Sequence, residues 1–274
     1  MSENALAGSP ASEWDITGAG DLSIQGFATD ISVNKGQTVR FKIKTDAAAY
    51  TIRIYRLGYY QGNGARRVAS STVPADNLLI TAALPQSQPD DLYDAATGLT
   101  DCGNWAESAH WDVPSTAVSG IYVAKLTRTD NNGSSHIVFI VRNDQSTSDL
   151  YFQTSDATWQ AYNSYGGSSL YMGSTSPVNY GHATKVSYNH PFLTRNGGGG
   201  GGVAEDWLFN AEYPMVRWLE RNGYDVSYTT DVDADRNGSL LLNHKVFMSV
   251  GHDEYWSAQQ RANVEAARNA GKHL

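Results

Sequence analysis

The hydrophobic periodicity of the chain changes once, near residue 146, and that change limits the folds open to it. Before it, Asp21–Phe27, Gln37–Lys44 and Tyr50–Arg56 alternate apolar and polar residues. Gly120–Thr127 and His136–Val141 are later strand-like runs, separated by the turn Asp130-Asn-Asn-Gly133, and Asn34-Lys-Gly36 is a turn between the first two runs. A period of two with Gly/Asn turns describes half-buried antiparallel strands. We read residues 1–146 as an all-β, immunoglobulin-like or fibronectin-like sandwich. The stretch Pro74–Pro114 is irregular and is expected to form long connections packed on it.

After the polar linker Asn143–Ser148 the pattern becomes strand, helix, strand, loop, strand, helix. Asp149–Gln153 is a short strand and Ala157–Tyr162 a short helix. Asn163 to about Gly202 is rich in Gly, Ser and Tyr, and its six consecutive glycines, Gly197–Gly202, favour no single conformation. Ala204–Asn222 carries apolar residues at three- and four-residue spacing, and Pro214 is expected to kink this helix or start a second one. Gly223 closes it, Tyr224–Tyr228 is a strand, and Thr229–Asn243 a loop. Val246–Val250 reads as a fully buried strand ending at Gly251, and Ser257 as the N-cap of a helix over Ala258–Ala270. This order predicts a parallel α/β domain over 147–274. Gly271-Lys-His-Leu274 looks like the turn into another strand, so the domain is expected to be truncated.

Composition narrows the functions. Net charge is −8, which disfavours nucleic acid as a partner. The single cysteine, Cys102, excludes an internal disulfide and a cysteine-rich zinc site. No apolar run approaches the roughly 20 residues of a membrane span, and the N-terminus lacks the basic and apolar regions of a signal peptide. Compartment, bacterial cytoplasm or outside the cell, and oligomeric state stay open. The 16 tyrosines and 7 tryptophans suit aromatic-lined clefts. The loop Gly58–Gly64, with Tyr59 and Tyr60, reads as a hairpin turn or as a carbohydrate-stacking surface.

The ionisable residues hold the candidate chemistry. Asp231, Asp233 and Asp235, with Gly238 following, imitate the start of a calcium loop, but His244 stands where a bidentate Glu is required, so calcium is disfavoured. Neither a G-x-S-x-G elbow nor a dinucleotide-binding glycine pattern is present. His252 and Glu254 remain. They follow a parallel strand, at the carboxyl rim where ligands of open α/β sheets bind.

Tyr55-Arg-Leu-Gly-Tyr-Tyr-Gln-Gly62, Trp159-Gln-Ala-Tyr-Asn163, Trp218-Leu-Glu-Arg-Asn-Gly-Tyr224 and Gly251-His-Asp-Glu-Tyr-Trp-Ser257 together resemble the N,N-dimethylformamidase large (beta) subunit family. The resemblance implies a β-sandwich followed by a glutamine-amidotransferase-like, Rossmann-like α/β domain. It also implies amide hydrolysis at a mononuclear iron held by two tyrosines and one glutamate. By position the glutamate ligand is Glu254, the neighbouring catalytic histidine His252, and one tyrosine Tyr162. The second is Tyr188, with Tyr165 and Tyr180 as alternatives. Phenolates and a carboxylate are hard donors suited to Fe(III). The sequence therefore points to a metal-dependent hydrolase of a small amide or related C–N bond, with dimethylformamide itself disfavoured. The alternative is a carbohydrate- or surface-binding protein with a degenerate α/β site.

Overall fold

The computed structural model describes residues 3–68, 87–173, 181–193 and 207–274. The glycine run 197–202 and Tyr180 lie outside them, as do the first residues of the helix expected from Ala204.

The chain is β-rich with several helices. After the short helix α1 (Ala11–Trp14), ten strands precede residue 146 among the described residues. Strands β1 (Ile24–Ala28), β3 (Thr38–Thr45) and β8 (Ala109–Asp112) form one antiparallel sheet in the order β1-β3-β8. Strands β2 (Ser32–Asn34), β4 (Tyr50–Leu57), β5 (Ala65–Arg67), β9 (Gly120–Arg128) and β10 (Ser134–Arg142) form a second, in the order β2-β10-β9-β4-β5. A hairpin, β6 (Leu92–Asp94) with β7 (Leu99–Asp101), stands apart.

Period-two patterning explains the packing. Val39, Phe41 and Ile43 of β3 and Ile52 and Ile54 of β4 alternate inward and meet Phe139 and Trp111 in one buried cluster. Burying a side chain of this size contributes about 1.5–3 kcal/mol, so this cluster dominates the region's stability.

Two expectations are corrected here. β2, unforeseen between the first two runs, leaves the sheet of its neighbours and pairs parallel with β10. The described part of the supposed connections 74–114 contains the β6–β7 hairpin and β8, and β8 completes a sheet by pairing with β3. Three- and four-residue strands carry too few alternations to be seen in sequence.

Beyond residue 146, β11 (Leu150–Gln153), β12 (Val226–Thr229) and β13 (Val246–Ser249) form a parallel sheet in the order β12-β11-β13. Helix α2 (Asp156–Tyr162) follows β11. Pro214 divides the expected long helix into α3 (Leu208–Ala211) and α4 (Tyr213–Arg221), since its ring starts a helix readily but cannot continue one. The expected loop 229–243 instead holds α5 (Asp231–Arg236), whose N-cap Thr230 accepts from the Asp233 amide, and a 3-10 turn over Gly238–Asn243. β13 is not fully buried. β11 takes the centre of the sheet, and among the described residues the outer edge of β13 is bridged by His273. Helix α6 (Ala258–Asn269) begins in a capping box between Ser257 and Gln260.

No gap separates the two patterns. Tyr55, Ile121, Val123, Val138 and Ile140 from the five-stranded sheet share one buried cluster with Phe152, Trp159, Val216, Leu219 and Tyr228. Within it, Arg56 of β4 meets Glu220 of α4 through two hydrogen bonds of 2.7 and 2.9 Å, with both side chains almost fully buried. Tyr60, from the aromatic loop, is buried in the same place, its hydroxyl shared between Arg56 and Glu3.

Candidate active site

In the order β12-β11-β13 the chain leaves β11 toward one side and returns on the other. The crevice at the carboxyl ends of β11 and β13 is therefore the topological switch point, where parallel sheets bind ligands. Gly251 lets the chain turn there. It has φ +88°, and a Cβ on it would lie 3.1 Å from both Ala211 and Glu212. His252, Asp253 and Glu254 follow at once.

Asp253 anchors this segment. Its Oδ2 accepts from Gln153 Nε2 at the end of β11 (2.8 Å) and from the hydroxyl of Ser249 at the end of β13. The Glu254 amide donates to Thr158 Oγ1 on α2 at 2.8 Å. These bonds bring the Glu254 carboxylate to the last turn of α2, where Tyr162 OH donates to Glu254 Oε2 at 2.9 Å. His252 Nε2 stands 3.2 Å from the same oxygen.

A residue that the sequence reading passed over joins them. The ring of Tyr171 stacks on that of Tyr162, with centroids 4.0 Å apart. Its hydroxyl accepts from Tyr255 OH at 2.6 Å. Desolvation, then the bonds to Tyr162, Tyr255 and Glu254, raise the Tyr171 phenol far above its usual range. Its only sequence signal was aromatic bias, shared by 16 tyrosines.

Tyr188 is held elsewhere, in a buried acidic group beneath the rim. Its hydroxyl donates to Asp156 Oδ2 at 2.9 Å. Asp156 Oδ1 receives the Asp231 amide at 2.8 Å, and Asp231 Oδ1 receives Gln153 at 2.8 Å and Gln260 at 2.6 Å. Burial raises the carboxyls of Asp156 and Asp231, and for Asp231 the neighbouring Asp156 and Asp253 act in the same direction. Tyr165, the other alternative, donates to Asp91 near Cys102, away from Glu254. The three acids that imitate the start of a calcium loop face different partners. Asp231 turns to the glutamines, Asp233 to Arg142 at 2.9 Å, and Asp235 accepts from Ser257.

Behind the rim, Glu212 between α3 and α4 is fully buried. Its Oε1 accepts from the Ser155 amide (3.1 Å), the Ser155 hydroxyl and Trp159 Nε1 (2.8 Å), whereas Oε2 has no partner among the described residues. Burial pushes its pKa up to about 7, against the lowering effect of the bonds from Ser155 and Trp159.

The four-residue set Tyr162, Tyr171, His252 and Glu254 thus offers two phenols, a carboxylate and an imidazole around one point. A family model described as N,N-dimethylformamidase beta subunit-like, C-terminal, matches residues 51–274. No curated protein matches the chain. Among solved structures, VCBP3 domain 1 from Branchiostoma floridae is similar at 10% identity, covering 45% of this chain and 97% of that one, with a TM-score of 0.23. Murine CEACAM1b is similar at 11% identity over 47% of this chain and 61% of that one, with a TM-score of 0.22. A family 123 glycoside hydrolase from Clostridium perfringens is similar at 10% identity over 51% and 32%, with a TM-score of 0.20. Such low scores carry no argument about fold or function.

Proposed function

The chain belongs to the N,N-dimethylformamidase beta subunit-like, C-terminal family, and we propose that it is a metal-dependent hydrolase of a small amide or related C–N bond. We read its architecture as an immunoglobulin-like sandwich over 1–146 followed by a glutamine-amidotransferase-like α/β unit over 147–274. The observation that carries the function is the meeting of Tyr162, Glu254 and His252 at the switch-point crevice, with Tyr171 stacked beside them.

The donor set fits a hard cation such as Fe(III). The Tyr162 phenol and the Glu254 carboxylate are bonded at 2.9 Å with the Tyr171 ring stacked on Tyr162, an arrangement compatible with ligation of one small ion. We assign the second tyrosine to Tyr171, because Tyr188 is engaged with Asp156. A cation held there supplies Lewis acidity toward an amide carbonyl and toward water.

The chain's own groups do the rest. Thr158 fixes Glu254 through its amide, and Asp253 fixes the whole His-Asp-Glu segment to both strands. The Tyr162–Tyr171 stack orients the two phenols. His252 Nε2, beside Glu254 Oε2, is placed to take a proton from attacking water and return it to the leaving amine. Tyr255 OH, donating to Tyr171, keeps that hydroxyl oriented.

Elemental analysis and visible spectroscopy of the purified protein test this. The expected result is bound iron and a tyrosinate-to-iron band, both lost in Glu254→Ala and Tyr171→Phe and both kept in Tyr188→Phe. A colourless, metal-free protein whose Glu254→Ala variant behaves like wild type would sink the proposal.

A further inference from the structure

A second pocket adjoins the site and is unused by the chemistry above. It holds about 250 Å³ and is bounded by α5, the start of α2 and the start of α6. Tyr255, which donates to Tyr171, forms one wall, so the pocket lies next to the reacting centre. Tyr188, Val232 and Arg236 also line it, and the same three residues line a polar cleft of about 750 Å³ against the β-sheets. Pocket and cleft therefore meet along Tyr188, Val232 and Arg236.

The charges around this boundary are unequal in their engagement. In the cleft, Arg142 is paired with Asp144 and Asp233, and Arg40 with Glu107. Asp30 accepts from the Thr29 hydroxyl on the β-sheet side, and Asp235 accepts from Ser257. Asp231, at the pocket floor, is bonded by two glutamine amides and the Ala157 amide, and burial favours its neutral form. Arg236, by contrast, is exposed and has no ion pair or hydrogen bond among the described residues. A guanidinium with five donors and no acceptor, facing a pocket beside a hydrolytic centre, matches a carboxylate.

We infer that this pocket binds the acyl- or amine-side portion of an amide that carries a carboxylate, with Arg236 as its counter-ion. This rests on the hydrolase reading, and it names the substrate class as anionic amides larger than dimethylformamide. Arg236 is then a specificity residue, outside the proton-transfer machinery.

The test is calorimetric titration of the intact protein with N-acetylglycine and with the neutral N-acetylglycinamide. Charge-assisted hydrogen bonds contribute about 1.5–3 kcal/mol, so the carboxylate probe should bind about tenfold tighter or better. Arg236→Gln, an exposed change that should leave folding intact, is expected to erase the preference, while Glu254→Ala keeps it. Equal affinity for the two probes, no binding of either, or a preference that survives Arg236→Gln would overturn the inference. Preference without turnover in wild type would overturn the hydrolase reading alone, since binding is read independently of Glu254.

Discussion

Glu212 offers a direct measure of how firmly the crevice is built. Its carboxyl is fully buried, has one satisfied oxygen and one orphan, and is pushed up to about 7 from an ordinary 4.5. Between those two values the folded chain holds a proton that the unfolded chain has released. Stability attributable to this group therefore falls as pH rises from 4.5 toward 7, and is flat above. The displacement is 7 − 4.5, or about 2.5 units, and at 1.36 kcal/mol per unit it corresponds to about 3 kcal/mol. Glu212→Gln retains an acceptor oxygen for Ser155 and Trp159 and removes the titration. Its amide nitrogen sits where Oε2 lacks a partner, which adds an offset independent of pH. Urea unfolding followed by circular dichroism at pH 4.5 to 8 should show the variant gaining on wild type across the window, by about 3 kcal/mol at the top. Asp156 and Asp231 contribute slopes of the same sign in both proteins, so the difference isolates Glu212. Stability curves that stay parallel across this range would refute the reasoning.

Two other perturbations follow from the same physics. Glu220→Ala leaves Arg56 charged and buried without its partner, and should cost about 3–5 kcal/mol in urea unfolding. The Arg56→Met/Glu220→Leu double variant should cost far less than the two single changes combined, and additivity in that cycle would show that the pair is not coupled. Gly251→Ala forces a side chain into φ +88° against Ala211 and Glu212, and should lower stability by about 1–3 kcal/mol. Unchanged stability and unchanged iron content in that variant would contradict the role given to the turn.

What sequence reading recovers depends on how far a signal extends along the chain. The long strands β3 and β4 repeat the alternation several times, β9 and β10 are long, largely apolar runs, and all four lie within a residue or two of the sequence reading. β2, β5 and β8, three or four residues each, do not repeat it, and tertiary pairing decides them. α5 was hidden because its acidic sequence, Asp231-Val-Asp-Ala-Asp-Arg236, suits a loop as well as a first helical turn. Thr230 as N-cap settled it. In the candidate site, Tyr162 was pointed to by the family resemblance alone, whereas His252 and Glu254 were legible from their place just past a strand end. Tyr171 was not, since it lies in an irregular Gly/Ser/Tyr stretch where spacing says nothing about direction. The acidic group of Asp156, Asp231 and Tyr188 is likewise a product of strand order, which joins residues far apart in the chain.

The bond between Tyr162 and Glu254 spans 92 positions of sequence, and it is made across the seam between β11 and β13. Of the two pairings in the parallel sheet, β11 with β13 joins residues farther apart in sequence than β11 with β12, so the candidate site is complete only once that less local pairing has closed. Any colour or metal affinity at this point would then serve as a clock for folding. In a refolding experiment it should lag the appearance of secondary structure and coincide with completion of the parallel sheet.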